Sequence, residues 1–440
     1  MKTVSGFSKM SKLQKIEWLS EQLSEESSQL VENLKIYWHP DSNLQKRFDE
    51  FSENTLTNYD LPFGIAPNFL INGKIYSVPM VIEESSVVAA ASLGAKFWLE
   101  RGGFKSRVIS TKKVGQVHFK WQGTKAKLDQ FFSDSKSDLL KAVEFITFNM
   151  EKRGGGIVGL ELVDMTDKIE NYYQLKIECE TCDAMGANFI NSILEEMAQV
   201  FKRKVSLDSR FENSEKEVQI IMCILSNYTP DCVVECSVEC PIDELGTFAG
   251  NMSSREFAEK FATAVRIAEV DPNRAVTHNK GIMNGVDAVV IATGNDFRAI
   301  EACAHAYASR DGQYRSLSTV SLENDHFKFS IRIPLAVGTV GGLTSLHPLA
   351  KTSLAILENP SAPELMQVMA AVGLAQNFGA VKSLVTTGIQ KGHMKLHLLN
   401  ILNQLDANSI EIEKAKEFFL DKVVSFTAVR NFLNSERTMQ

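Results

Sequence analysis

Between residues 105 and 228 the chain runs through strand-like and helix-like periodicities in the order β-α-β-β-α-β, and no other feature restricts its fold so tightly. Val114 to Trp121 alternates like a strand, and Ser137 to Lys152 reads as a helix. Strand-like runs follow at Ile157–Val163 and Tyr172–Cys179, then a helix from Ala184 to about Lys202, and Val218 to Leu225 closes the set. Alternation at period two gives each strand one apolar face, and the helices supply apolar stripes to cover it. This order predicts a split ferredoxin-like unit inserted into a larger domain.

The flanking segments read differently. The N-terminus, MKTVSGFSKMSKLQKIEWLSEQL, predicts an amphipathic helix with Leu13, Ile16, Leu19 and Leu23 at helical spacing. After Leu61-Pro62-Phe63-Gly64 a strand is expected over Lys74 to Ile82, interrupted by Glu83-Glu84-Ser85-Ser86. An alanine-rich helix follows from Val87 to Leu99, with Ser85 or Ser86 as its N-cap and Arg101-Gly102-Gly103 at its end. From about 229 to 385 the chain is rich in alanine and glycine on helical patterns. Thr386, Thr387 and Gly388 form a candidate hinge ahead of a polar helical segment, Met394 to about Asn434.

Composition excludes little but orders the alternatives. A net charge of -7 argues against a general nucleic-acid binder. No apolar run reaches the roughly 18–20 residues of a spanning helix, and no signal-peptide core is present, so a cytoplasmic protein with no membrane partner is expected. Seven cysteines suit a reducing compartment. Cys179 and Cys182 form a C-x2-C pair, but Cys232, Cys236 and Cys240 have the even spacing of one strand face. No metal is therefore expected.

Several segments carry chemistry. Asp183-Ala184-Met185-Gly186-Ala187-Asn188 ends a strand and opens a helix, where small residues and unpaired N–H groups favour a pyrophosphate. His278-Asn279-Lys280 and Thr293-Gly294-Asn295-Asp296 flank an apolar run, so Lys280 and Asp296 could pair in one cleft. His393 lies in Gly388-Ile389-Gln390-Lys391-Gly392-His393-Met394, at the hinge. Glu83 and Glu84 adjoin a helix N-terminus. Each also has a structural reading: a tightly packed helix start, an internal ion pair, a core histidine, a capping carboxylate.

Six stretches stand in one order: Glu84 followed by Ser86 and the alanine-rich helix, DAMGAN at 183–188, HNKGIMNG at 278–285, ATGND at 292–296, VGLAQN at 372–377 and QKGHMKLH at 390–397. In this order and spacing they resemble the class II 3-hydroxy-3-methylglutaryl-CoA (HMG-CoA) reductases over nearly the whole chain. The resemblance implies an α+β fold. A large, mostly helical substrate-binding domain (1–104 and 229–387) would carry an inserted ferredoxin-like cofactor-binding domain (105–228) and a C-terminal helical flap (388–440). It implies four-electron reduction of (S)-HMG-CoA to (R)-mevalonate and CoA by two NADPH, through a mevaldyl-CoA hemithioacetal and mevaldehyde, in the mevalonate route to isoprenoids. A homodimer, or a higher oligomer of dimers, is implied as well.

The same resemblance assigns roles. Glu84, Lys280, Asp296 and His393 match the catalytic positions. Hydride addition builds negative charge on a carbonyl oxygen, and a fixed cation stabilises it most in the transition state. Lys280 would be that cation, with Asp296 holding it and adjusting its proton affinity. Glu84 would protonate a carbonyl oxygen, and His393 the departing CoA thiolate once the flap closes. Ser86, Arg274, Asn284 and Gln376 match contacts to the hydroxymethylglutaryl part, and Lys9 is a candidate for the CoA phosphates. Asp183, Ala184, Met185, Gly186 and Asn188 match the dinucleotide turn.

Two departures stand out. Glu53-Asn54-Thr55-Leu56-Thr57 lacks the glycine of the family's Glu-Asn-x-x-Gly segment. Counting back from Gly154-Gly155-Gly156 puts Thr147 where NAD-specific relatives carry an aspartate, which removes repulsion of a 2′-phosphate and favours NADPH, with NADH as the alternative. The competing readings are an NAD-dependent relative that oxidises mevalonate and a CoA-ester sensor without turnover.

Overall fold

The computed structural model describes residues 3–22, 27–386, 388, 398–420, 422 and 424–438. The chain divides into two compact units, Met1–Pro62 and Phe63–Gln440. In the first, α1 (Lys12–Glu21), α2 (Ser27–Ile36) and α3 (Ser42–Asp49) are short helices. Ser11 and Gln14 form a reciprocal capping box that starts α1. Lys12 ties α1 to α3 through Asp49 at 2.8 Å and lies 4.2 Å over the Trp38 ring. Ile16 is buried, as the amphipathic spacing requires, while Leu13 is exposed. Leu23 lies outside the described residues. In the segment without its glycine, Asn54 takes φ 59°, a left-handed conformation that asparagine tolerates.

The second unit opens with a hairpin of β1 (Phe63–Ile71) and β2 (Lys74–Val81). Its turn is Asn72-Gly73, where positive φ at both residues suits a tight two-residue loop. Helix α4 spans Val87–Leu99, the bounds its composition predicts. Strand β3 (Lys105–Val108) follows.

Next come β4 (Lys113–Trp121), α5 (Lys125–Ala142), α6 (Glu144–Glu151), β5 (Gly156–Asp164), β6 (Tyr172–Glu180), α7 (Ala187–Leu207) and β7 (Val218–Ser226). The sheet order β5-β6-β4-β7, antiparallel throughout, is the ferredoxin-like order. Phe119, Trp121, Leu175, Met197 and Phe201 belong to a core of this segment's own. The helix expected over Ser137–Lys152 is two helices. Polar residues conceal its start at Lys125, where Leu128 and Phe131 already face inward, and Val143 at φ −105°, ψ 2° breaks it.

Beyond lie β8 (Val233–Pro241), α8 (Ser254–Val270), α9 (Pro272–Ala292), α10 (Phe297–Ala308), β9 (Ser318–Glu323), β10 (His326–Pro334), α11 (Gly342–Leu346), α12 (Pro348–Ile356) and α13 (Ala362–Val385). The expectation of a helical stretch over 229–385 is therefore incomplete: β8, β9 and β10 join β3 in the order β3-β8-β10-β9. Period-two burial explains them, with Phe327, Phe329, Ile331 and Ile333 inward and Lys328, Ser330 and Arg332 outward. Cys236 and Cys240 share the buried face of β8, as their spacing predicts.

Helix α13 qualifies a second expectation. It is long and apolar enough to cross a membrane by length and composition, a property hidden by polar residues such as Gln376 and Asn377 within it. Here it is a core helix, with Leu365, Met369, Val372, Leu374 and Phe378 all buried. Gly388, at φ 78°, closes its end by donating its N–H to the Ser383 carbonyl at 2.8 Å. Residues 398–404 and the helices Ser409–Phe418 and Phe426–Thr438 pack together through Leu402, Ala415, Val429 and Leu433.

Candidate active site

Close helix packing assembles the site. A Cβ on Gly285 of α9 would come within 2.9 Å of both the Val372 carbonyl oxygen and Gln376 Cβ on α13. A Cβ on Gly94 of α4 would lie 2.8 Å from the Ala375 carbonyl oxygen. With hydrogen in place of side chains there, three backbones approach closely and their polar residues converge.

Glu84, just ahead of α4, collects the donors. Lys280 Nζ donates to its Oε2 at 3.1 Å, Asn284 Nδ2 to the same oxygen at 3.4 Å, and Ser86 Oγ to Oε1 at 3.3 Å. Lys280 and Asn284 are four residues apart on α9, one above the other on the same face. The ammonium and carboxylate side chains are 62% and 35% exposed, so the pair contributes about 1 kcal/mol or less and exchanges readily for a ligand. Ser86 occupies the N-cap position of α4, but its hydroxyl makes no cap bond and turns to Glu84 instead.

The expected Lys280–Asp296 pair is absent among the described contacts. Asp296 is the N-cap of α10, accepting from the backbone N–H groups of Arg298 and Ala299 at 3.0 and 3.3 Å. The Arg298 guanidinium takes both its oxygens, at 3.0 and 2.9 Å. Partial burial opposes ionisation of Asp296, but the Arg298 side chain and these N–H groups outweigh it and hold the carboxyl below its ordinary value. Arg298 was not singled out in the sequence, although an arginine two residues after an N-cap aspartate is a readable signal.

Gln376 is 6% exposed, and its Oε1 has no hydrogen-bond partner among the described residues. A buried amide oxygen left unpaired costs about 1–3 kcal/mol, which marks a place for a ligand donor. Arg274, in the first turn of α9, is half-buried with no hydrogen-bond partner among the described residues, and burial lowers its pKa. His278 and Asn279 have structural roles instead. His278 Nε2 meets Ser318 Oγ at 2.6 Å, and that hydroxyl donates to Asn377 Oδ1 at 2.9 Å. Burial, aided by the Arg274 charge, pushes the imidazole down to about 3. Asn279 links α9 to the Arg315 carbonyl and the Leu317 N–H.

The DAMGAN segment is the β6–α7 turn. Gly186 takes φ 91° as the N-cap of α7, which has no side-chain cap, and a Cβ there would sit 2.5 Å from Thr181. A helix N-terminus without a side-chain cap suits a phosphate. Ala184 and Met185 line the turn half-buried, and Asn188 is exposed on the first turn of α7. Asp183 has a structural task, accepting from the Ala362 N–H at 2.7 Å and so capping α13. The backbone of this turn also lies against Gly338, where a Cβ would fall 2.5 Å from Met185 N.

Thr147 faces the core. It is 1% exposed, on the buried side of α6 with Val143 and Met150 at helical spacing. Counting back along an unbroken helix missed that core register. His393 lies outside the described residues, and Lys9 is exposed in the N-terminal unit. Burial pushes the Cys179 and Cys236 thiols up to about 12 and those of Cys232 and Cys240 to about 11. Among the described residues no cluster of three metal-ligating side chains occurs.

Known proteins are similar to this chain. The profile of the hydroxymethylglutaryl-coenzyme A reductase family matches residues 13–398. A 3-hydroxy-3-methylglutaryl-coenzyme A reductase of Archaeoglobus fulgidus is 37% identical over 379 residues, covering 84% of this chain and 81% of that protein. A probable reductase of the same name from Borreliella burgdorferi is 33% identical, covering 94% and 92%. The class II enzyme of Streptococcus pneumoniae, described as bound to NADPH in open conformations, superposes with a TM-score of 0.71 at 36% identity, covering 97% of this chain and 100% of that one.

Proposed function

Since the chain belongs to the hydroxymethylglutaryl-coenzyme A reductase family, we propose that it reduces HMG-CoA to mevalonate and CoA with NADPH. The observation that carries this reading is the convergence of Lys280, Asn284 and Ser86 on the partly exposed Glu84 carboxylate. Lys280 stabilises the oxyanion that forms at the thioester carbonyl and later at the aldehyde. Glu84, once protonated, gives its proton to that oxygen and returns to the carboxylate that pairs with Lys280. Arg274 binds the free carboxylate of the substrate, and the Gln376 Oε1 accepts from its hydroxyl. Asp296 modulates the cationic end of the site through Arg298, and His393 protonates the CoA thiolate.

The nicotinamide supplies hydride when bound. The β6–α7 turn suits its pyrophosphate, because Gly186 takes the left-handed conformation that starts α7 and no side chain caps the N-terminus of that helix. Buried Thr147 gives no support to a choice between cofactors. Support for NADPH comes from the NADPH-bound relative and from Lys152 and Arg153, two cations beside Gly154 at the end of α6. We assign cofactor binding to residues 105–228, substrate binding to 1–104 and 229–387, and a closing flap to 388–440, in a cytoplasmic dimer of the mevalonate route.

A spectrophotometric assay with HMG-CoA and each reduced cofactor tests this. Thioester-dependent oxidation of NADPH is expected, with the higher kcat/KM for NADPH. No turnover with either cofactor would refute the activity, and a higher kcat/KM for NADH would refute the cofactor assignment alone.

A further inference from the structure

We propose that the outer face of the sheet β3-β8-β10-β9 binds a ligand carrying clustered phosphate groups. A cavity of about 540 Å³ opens on this face, a volume within the range of small-molecule sites. The strand registers set Lys105 opposite Ser237, Ser237 opposite Ser330, and Ser330 opposite Thr319, so the four form one row across the sheet. At about 4.8 Å between strands that row is roughly 14 Å long, enough for two phosphate groups side by side. Among the described residues neither the Lys105 ammonium nor the three hydroxyls has a side-chain partner, although all four line the cavity.

The charge of the lining reinforces this reading. In the adjacent row, Arg107 and Arg332 both reach Glu235, at 2.7 and 3.6 Å, so one carboxylate faces two guanidinium groups. With Lys328 and Arg310, which also pair with Glu239 and Asp311 at 3.7 and 3.8 Å, five cations line the cavity and Glu235 is the one acid among its lining residues. The chain as a whole carries -7, so this cluster does not reflect a general excess of base. Ammonium, guanidinium and hydroxyl donors together suit the several oxygens of a phosphate cluster better than a neutral ligand.

None of Glu84, Lys280, Asn284 or Gln376 lines this cavity. Its lining nevertheless connects to the same helix: the N–H of Leu317, a lining residue, donates to Asn279 Oδ1 at 3.0 Å, next to Lys280. Two sources share the chemistry: the phosphates of a CoA thioester and a free organic diphosphate.

Calorimetric titration of the full chain with inorganic pyrophosphate at fixed ionic strength tests the site. Saturable binding is expected, weakened at least about tenfold by Lys105→Glu and by the double variant Ser237→Ala/Ser330→Ala, the loss of a charge-assisted contact. Both variants should keep full turnover at saturating substrate, which reports that they fold. The titration is then repeated with saturating CoA. Loss of the pyrophosphate signal identifies CoA as the source, and its retention identifies a separate ligand. Absence of saturable binding, or equal binding by the parent and both variants, overturns the proposal.

Discussion

The two four-stranded sheets are alike in size and in antiparallel pairing, but their strands are gathered over different distances along the chain. Strands β4 to β7 come from residues 113–226, with their own helices between them and a core of their own. Strands β3, β8, β9 and β10 come from positions between 105 and 334, and α8 and α13 cover their inner face. The site follows the same division. The turn proposed to hold the dinucleotide lies between β6 and α7 of the first sheet, although Asp183 within it also caps α13. The Glu84 cluster arises only when α4, α9 and α13, far apart in sequence, pack through Gly94 and Gly285. A locally closed unit can lose its ligand without disturbing its neighbour, so the two halves of the site should be separable by mutation.

The largest effect is expected at Lys280. Lys280→Ala removes the cation at the developing oxyanion and should lower kcat by about 10²–10³-fold, with the cofactor KM nearly unchanged. Steady-state kinetics with each substrate varied would check this. A parallel rise in cofactor KM would show that the two regions are not independent. The converse change is Gly186→Val. It forces a β-branched residue to φ 91° and its Cβ toward Thr181, 2.5 Å away. That strain, about 1–3 kcal/mol, should raise the cofactor KM roughly tenfold and leave the thioester KM alone. An equal rise in both would argue for global loosening instead.

The same division governs what the sequence made legible. The split ferredoxin-like order was readable because each strand and helix shows its period within a few residues, and α4 was readable from its alanines and flanking glycines. Strands β8, β9 and β10 were not, since alanine- and glycine-rich helices surround them and their pairing is set by long-range closure. Motif residues were legible by type, but their partners were not. Lys280 meets Glu84, 196 positions away, whereas Asp296 turns to Arg298, its near neighbour. The burial of Thr147 was illegible for a related reason: a core-facing register on α6 cannot be found by counting back from glycines.

A smaller effect should come from Arg298→Ala. Without the guanidinium, Asp296 keeps its backbone N–H donors but loses the side-chain contact that most opposes its burial, so its pKa should rise. If an ionised Asp296 is needed for turnover, the acid limb of the pH–kcat profile moves to higher pH. An unchanged limb would remove Asp296 from the titrating groups of the reaction.

The smallest expected effect concerns stability, and it is confined to α9 and its neighbours. Helix α9 carries a buried imidazole, His278, and a half-buried carboxyl, Asp287, that respond to pH in opposite senses. Burial, with Glu301 beside it, raises the Asp287 carboxyl from 3.8 to about 8. The folded chain then keeps a proton that the unfolded chain releases, so its contribution is complete below about pH 4 and is lost as pH rises through 8. His278, lowered from 6.5 to about 3, acts the other way, because the unfolded chain gains a proton as pH falls from 6.5 and the folded one does not. Asp287→Asn keeps a neutral side chain beside Glu301 and should remove only the alkaline loss. Thermal unfolding should then give equal Tm values for variant and parent at pH 4. At pH 9 the variant should be the more stable, by roughly 2–4 °C for each kcal/mol recovered. A gain of the same size at both pH values would trace the effect to packing and not to the proton, and loss of the acid limb would mean that His278 and Asp287 do not titrate independently along the helix.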